Sequence, residues 1–145
     1  MSQSRRYQTQ WTAQFYAAAE LTRRGYLVAF TLGNAPGTDL LVTQPDGKAH
    51  FRVDVKGQST RNFWLVRGKE IEGDLYYILV YMPRKLNEHP RFFILSSSEM
   101  MRKTAEDRKQ IESRESKYKD DLAGMNWSAA FEYEDRWDVL PCQAR

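Results

Sequence analysis

The feature that most constrains the fold is an uninterrupted apolar run in the middle of the chain, residues 75–82. Successive side chains of a strand point to opposite faces of its sheet, so a strand without polar positions must be covered on both faces. Pro83 ends the run, because proline cannot donate a ladder hydrogen bond. The run therefore predicts a central strand with further layers packed on both sides, which is the arrangement of an α/β domain.

A second pattern predicts a hairpin upstream of this strand. Residues 49–56 alternate apolar and polar side chains, which places Asp54 and Lys56 on the same face. The preceding strand, residues 40–43, is joined to them by a link with a Pro-Asp-Gly turn signature. A tight turn makes the two strands antiparallel, so Asp39, at the start of the first strand, is expected to lie across from Asp54.

The amino-terminal segment predicts a helix over residues 5–24 that ends at Gly25, followed by a strand over residues 26–30. Glu20 lies in the last part of this helix and is the only acid in the first 38 residues. Four residues recur at helical spacing and are expected to form the buried stripe of the helix: Trp11, Phe15, Ala18 and Thr22.

The carboxyl-terminal segment predicts one more strand and further helices. Residues 91–95 predict the strand, and Ser96 with Glu99 forms a capping box that opens a helix. The highly charged residues 102–121 indicate a solvated helix or excursion. Five residues at steps of three and four predict a final helix packed on the sheet: Trp127, Ala130, Tyr133, Trp137 and Leu140.

These segments together predict a single α/β domain over residues 1–145. Its centre is a mixed sheet of about five strands flanked by helices. We expect the core of the domain within residues 5–96 and a helical part over residues 97–141.

Two carboxylates and a lysine would meet at one end of the predicted hairpin. Mg²⁺ takes one or two carboxylates and keeps several waters, so Asp39 and Asp54 suit it as ligands, with the Val55 carbonyl as a third. Lys56, charged beside these acids, suits a cation that orients water and stabilises developing charge. This set matches the needs of a phosphodiesterase. The alternative is that the alternating charges mark only the solvated face of an antiparallel sheet.

The order of these elements resembles the PD-(D/E)XK nuclease superfamily, which includes many restriction endonucleases and Holliday-junction resolvases. The resemblance covers residues 5–96: a helix with Glu20, a strand, a strand opened by Asp39, and a strand that ends in Asp54-Val55-Lys56. Thr38 stands where a proline gives the motif its name, although many members lack that proline.

The resemblance implies a restriction endonuclease-like fold and Mg²⁺-dependent cleavage of DNA, with Mn²⁺ able to substitute. It matches Asp39 and Asp54 with the two motif acids and Lys56 with the motif lysine. Glu20 matches the accessory acid of the first helix, and Gln58 resembles a polar position that some members use near the site. The implied metal ligands are Asp39, Asp54, Glu20 and the Val55 carbonyl.

Charge is unevenly distributed along the chain. Residues 1–69 carry ten Lys and Arg against four acids, whereas residues 70–145 carry twelve against fifteen, within a net charge of +3. Because phosphate neutralisation supplies most non-specific affinity, the basic half favours DNA as the partner, with RNA not excluded. Within the next segment we expect Phe63 and Leu65 in the core. Five residues there are suited to contact a backbone or stack on a base: Arg61, Asn62, Trp64, Arg67 and Lys69.

Composition narrows the remaining classes of protein. With two histidines and one cysteine, the sequence argues against a zinc cluster or a Cys-His nucleophile. Residues 1–6 contain no hydrophobic signal core and no apolar run reaches transmembrane length, so we expect a cytoplasmic protein without a membrane partner. Cutting both strands of a duplex would require two copies of so small a nuclease, which suggests a homodimer.

Two other functions fit the same residues. A non-catalytic nucleic-acid-binding module on the same fold would use the basic half without cleavage. A small interaction domain would carry the acidic row merely as part of its surface. The joint presence of Glu20, Asp39, Asp54 and Lys56 favours the Mg²⁺-dependent endonuclease over both.

Overall fold

The computed structural model describes residues 2–68, 70–113 and 123–141. The helices and strands are, in order, α1 Gln3–Arg23, β1 Leu27–Phe30, β2 Leu40–Thr43, β3 His50–Gln58, β4 Phe63–Leu65, β5 Leu75–Tyr81, β6 Arg91–Ser96, α2 Ser97–Ser113 and β7 Gly124–Asn126. Two 3-10 helices follow, at Ser128–Tyr133 and Trp137–Val139. Within these ranges, no helix combines the length and the apolar character needed to cross a membrane.

Five strands form one mixed sheet in the order β1-β2-β3-β5-β6. Strands β3 and β5 run parallel, and the other neighbours run antiparallel. The predicted α/β class and five-stranded mixed sheet are therefore confirmed. Strand β5 lies between β3 and β6 and is buried at every position except Tyr76. This burial explains why its sequence is apolar on both faces.

The sheet separates two apolar cores. On one face, α1 packs against a cluster that includes Val53, Val55 and Ile78. On the other face, α2 and the small sheet of β4 and β7 pack around residues such as Leu79 and Phe93. Because β3 alternates, its polar side chains point away from the face that α1 covers.

Helix α1 approaches the sheet closely through small side chains. Its buried residues include Ala13, Ala17 and Ala18, and a Cβ added at Gly57 of β3 would lie 2.5 Å from the Ala13 Cβ. This contact shows that the predicted stripe of Trp11, Phe15, Ala18 and Thr22 is wrong except at Ala18. Phe15 is 59% exposed because only small residues fit the face nearest the strand.

The helix boundaries and the hairpin agree with the sequence. The Ser2 hydroxyl accepts from the Arg5 backbone N–H at the start of α1, and Gly25 follows its end with φ 99°. In the turn between β2 and β3, Gly47 has φ 72° and its N–H donates to the Gln44 carbonyl at 2.8 Å. Such positive φ angles favour glycine, which is why these turns can be recognised from sequence.

The final segment differs from the predicted α-helix. Trp137 and Leu140 are buried as expected, but they lie on short 3-10 structure and its exit. Asp135 interrupts the helical path with φ 55°, and its N–H donates to the Phe92 carbonyl of β6 at 2.9 Å. The backbone therefore pairs with the sheet edge instead of continuing a helix. Strand β7, which was not predicted, pairs with β4.

Helix α2 begins as predicted, with the Ser96 hydroxyl accepting from the Glu99 N–H at 3.2 Å. The charged segment predicted over residues 102–121 is helical up to Ser113, and residues 114–122 lie outside the described part of the chain. The helical part expected over 97–141 is thus one helix followed by a strand and two 3-10 helices.

Candidate active site

Strands β2 and β3 separate where the candidate acids lie. Leu40 pairs with Val53, and the Asp39 N–H donates to the Val53 carbonyl at 2.9 Å at this end of the β2–β3 ladder. Strand β3 continues to Gln58. Beyond the end of the β2–β3 ladder, the Val55 N–H donates to the Asp39 Oδ2 at 2.8 Å. The side-chain oxygen accepts the bond that a backbone carbonyl of β2 would accept if the ladder continued.

This arrangement brings the two predicted acids together. Asp54 follows Val53 on β3, opposite Asp39, and each carboxyl group affects the pKa of the other. The Lys56 Nζ lies 3.4 Å from the Asp54 Oδ1, with side-chain exposures of 26% and 12%. The predicted meeting of Asp39, Asp54 and Lys56 is therefore present in the structure.

Burial makes the negative charge of this pair costly. Burial raises the pKa of Asp54 to about 6. The charge of Lys56 opposes this rise, and the repulsion by Asp39 adds to it. Burial also raises the pKa of Asp39, although the Val55 N–H, the Lys56 charge and the hydrogen bond with Asp54 all oppose the rise. Two partly desolvated carboxylates share one lysine, so the pair favours a further positive charge.

The nearby arginine does not supply that charge. Arg52 lies on the same face of β3, but its guanidinium bonds Asp74 at 2.7 and 2.9 Å and Glu72 at 3.1 Å. Burial, and the negative charge of Asp54, raise the pKa of the neighbouring Tyr77 to about 12. The phenol therefore stays neutral, and Lys56 is the cation in contact with the acids.

Two glutamines of α1 hold the edge of β3 beside the acids. The Gln10 Nε2 donates to the Val55 carbonyl at 2.7 Å, and its Oε1 accepts from the Gly57 N–H at 3.4 Å. The Gln14 Nε2 donates to the Asp39 Oδ1 at 3.4 Å. Neither glutamine was predicted from the sequence to lie at the site. Their signal is the spacing of 10, 13, 14 and 17, which places them on the same face as Ala13 and Ala17.

Glu20 was predicted to join the acids, and this prediction is wrong. Its carboxylate forms ion pairs with Arg23 at 3.5 Å and Arg24 at 3.6 Å. It lies six residues after Gln14, about 9 Å further along the helix and about 120° around it. In the described part of the chain, no three His, Cys, Asp or Glu side chains form a group that could hold a metal.

The donor set that remains suits a hard cation held by a pair of carboxylates. Mg²⁺ binds through one or two carboxylates and retains waters, which matches Asp39 and Asp54. The Val55 carbonyl, predicted as a ligand, already accepts from Gln10 and retains its second lone pair.

Gln58 lies two residues beyond Lys56 on the same face of β3. In the orientation that satisfies its surroundings, its amide nitrogen donates to the Thr60 carbonyl at 2.9 Å and the Phe63 carbonyl at 3.3 Å. These bonds tie Gln58 to the loop after β3. The structure therefore gives it a role in shaping that loop.

The residues predicted to contact nucleic acid divide into three groups. Arg61, Asn62 and Arg67 are exposed, as that role requires. Trp64 is only 2% exposed and its indole N–H donates to the Val80 carbonyl at 3.4 Å, so the prediction that it stacks on a base is wrong. Lys69 lies outside the described residues.

The core positions of β4 are also reversed from the prediction. Phe63 and Leu65 are half-buried, whereas Trp64 between them is buried. The reason is the pairing of β4 with β7, which turns Trp64 toward the second core. The guanidinium of the exposed Arg61 lies over the rings of Tyr81 and Trp127, at 5.8 and 5.7 Å.

Comparisons with protein-family models, with curated proteins and with solved structures give no match to this chain.

Proposed function

We propose that this chain is a Mg²⁺-dependent endonuclease that hydrolyses phosphodiester bonds in DNA at Asp39, Asp54 and Lys56, on a restriction endonuclease-like domain. The observation that carries the proposal is a pair of facing carboxylates, Asp54 buried and Asp39 partly buried, with a lysine 3.4 Å from one Asp54 oxygen. Two partly desolvated acids that face each other are a cost to the fold, whereas one or two carboxylates are the ligands through which proteins bind Mg²⁺.

Asp39 and Asp54 would hold the ion, with Mn²⁺ able to replace Mg²⁺. When bound, the ion supplies positive charge to the phosphate oxygens and makes water more acidic. The Lys56 ammonium has three donors and is placed to orient a water and to stabilise charge that develops on the phosphate. Gln14 and Gln10 fix the Asp39 carboxylate and the Val55 carbonyl, so the ligands need little rearrangement.

A cleavage assay tests this proposal. The parent protein should cut plasmid and oligonucleotide DNA with Mg²⁺ or Mn²⁺ and should be inactive with EDTA. Asp54→Asn should reduce cleavage to the EDTA level, and Lys56→Ala should lower the rate about 10²- to 10³-fold, as the loss of one charge-stabilising donor does elsewhere. The matched control is Asp138→Asn, which makes the same change at an exposed carboxylate paired with Arg136. Cleavage by Asp54→Asn at the parent rate would contradict the proposal.

The second candidate function is a nucleic-acid-binding module without catalysis. One observation favours it: Glu20 is paired with Arg23 and Arg24 at the end of α1 and does not join the site. The site then has two acids instead of the three predicted as metal ligands. The Lys56→Ala variant separates the two functions. With Ca²⁺ in place of EDTA at constant ionic strength, a nuclease should bind DNA more tightly, because the ion links the acids to a phosphate. A binding module should bind less tightly, because divalent cations only screen it.

A further inference from the structure

The described arginines differ in whether a carboxylate neutralises them. Arg52 and Arg91 are bonded to carboxylates, as are Arg102 and Arg136. Arg61 and Arg108 instead contact aromatic rings and a backbone carbonyl, and Arg67 is exposed. Arg5, Arg6 and Arg84 are exposed and have no carboxylate partner anywhere in the described ranges. Unpaired cations repel one another and gain little from folding, so a cluster of them is best explained by an external anion.

These three arginines line two adjoining grooves. The first, with a volume of about 460 Å³, lies between Arg6 and the end of β3. The second, of about 390 Å³, is lined by Arg5 and Arg84. Thr9 and Ser59 line both, so the grooves adjoin, and the two together are called the channel below. No acidic residue lines either of them among the described residues.

The first groove of the channel lies at the end of β3, next in sequence to Lys56. Gln10 and Gln58 line this groove, and Gln10 is the residue that bonds the Val55 carbonyl beside the acids. Ser59 follows the end of β3, three residues beyond Lys56, and lines both grooves. On the same face of β3 as the site, Arg52 is bound to Asp74 and is not available to a phosphate.

We propose that this channel binds the sugar-phosphate backbone of the substrate on one side of the cleaved bond, with Arg6 nearest the site and Arg5 and Arg84 further along. The proposal rests on the proposed nuclease function and adds the path of the substrate. Arginine forks match phosphate oxygens, and the hydroxyls of Thr9 and Ser59 add neutral donors of the kind that contact DNA backbones. The bound DNA strand thus runs from the site toward the amino terminus of α1.

The test measures DNA affinity in the Lys56→Ala background with EDTA, where binding proceeds without cleavage. Labelled duplex is titrated with the triple variant Arg5→Gln, Arg6→Gln and Arg84→Gln at several salt concentrations. A plot of log K against log salt has a negative slope, and loss of three phosphate contacts should make this slope about 2.7 less steep. Binding at 0.1 M salt should weaken by up to about 500-fold. The single variant Arg84→Gln should make the slope about 0.9 less steep.

A matched control removes three cations elsewhere: Lys48→Gln, Lys109→Gln and Arg136→Gln. The Lys56→Ala background carries a net charge of +2, one less than the +3 of the parent, and both triple variants lower it by three to −1, so they differ only in where the charge was. The control should retain the parent slope. Equal losses in the two triple variants, with cleavage by the parent intact, would overturn the channel and leave the nuclease proposal standing. A parent protein that neither binds nor cuts DNA would overturn both.

Discussion

Replacing Asp54 by Asn should stabilise the folded protein at neutral pH while it abolishes cleavage. Burial raises the pKa of Asp54 from 3.8 to about 6 in the folded state. Its ionised form therefore destabilises the fold by about 3 kcal/mol at pH 8, an upper value for an acid that is 12% exposed. The neutral amide of Asn has nearly the same shape and removes this cost.

The sign and the pH range follow from linkage. The unfolded chain loses its proton near pH 3.8 and the folded chain near pH 6, so the cost is absent at low pH, grows as the pH rises between these values and is complete above pH 6. The stabilisation by Asp54→Asn should fall to about 1 kcal/mol at pH 4.5. At pH 8 the midpoint of thermal unfolding should rise by about 6 to 12 °C.

Urea unfolding in EDTA at pH 8 and pH 4.5, followed by tryptophan fluorescence, measures both values. Asp138→Asn is the control, because Arg136 lowers the pKa of this exposed acid and its removal should give no stabilisation at pH 8. The reasoning is refuted if Asp54→Asn is neutral or destabilising at pH 8, or if its effect is the same at both pH values.

Three further predictions test the packing and the corrected residues. Gly57→Ala should destabilise the fold by about 1 to 3 kcal/mol in urea unfolding, since the new Cβ would meet that of Ala13, and Ala13→Gly should restore part of the loss. Trp64→Ala should cost about 3 to 5 kcal/mol in the same assay, because the ring is buried, whereas the exposed Arg67→Gln should stay within about 0.5 kcal/mol. Glu20→Gln should cleave DNA at the parent rate, and a large loss of rate would show that Glu20 acts at the site.

The parts of the fold that the sequence predicted depend on local chemistry. The turn at Gly47 and the alternation along β3 fix the hairpin register, and that register places Asp39 opposite Asp54. The apolar run of β5 required cover on both faces, and the structure supplies it with α1 and α2. These patterns need no knowledge of distant contacts.

The errors concern residues whose positions depend on distant contacts. Periodicity alone could not show that α1 packs through Ala13 against Gly57, which brings Gln10 and Gln14 to the site and leaves Glu20 beyond it. Trp64 was assigned to the surface because its burial depends on β7, some sixty residues later in the chain. A helical period also could not reveal that Asp135 pairs with the edge of the sheet.

The central claim is that Asp39 and Asp54 form a binding site for a divalent cation. Electron paramagnetic resonance of free Mn²⁺, titrated with the metal-free protein, measures this binding without DNA and without cleavage. The account predicts saturable binding by the parent protein and by Lys56→Ala, and loss of binding in Asp39→Asn and in Asp54→Asn. The control Asp138→Asn should bind as the parent does. Binding that persists in both site variants, or is absent from the parent protein, would contradict the account.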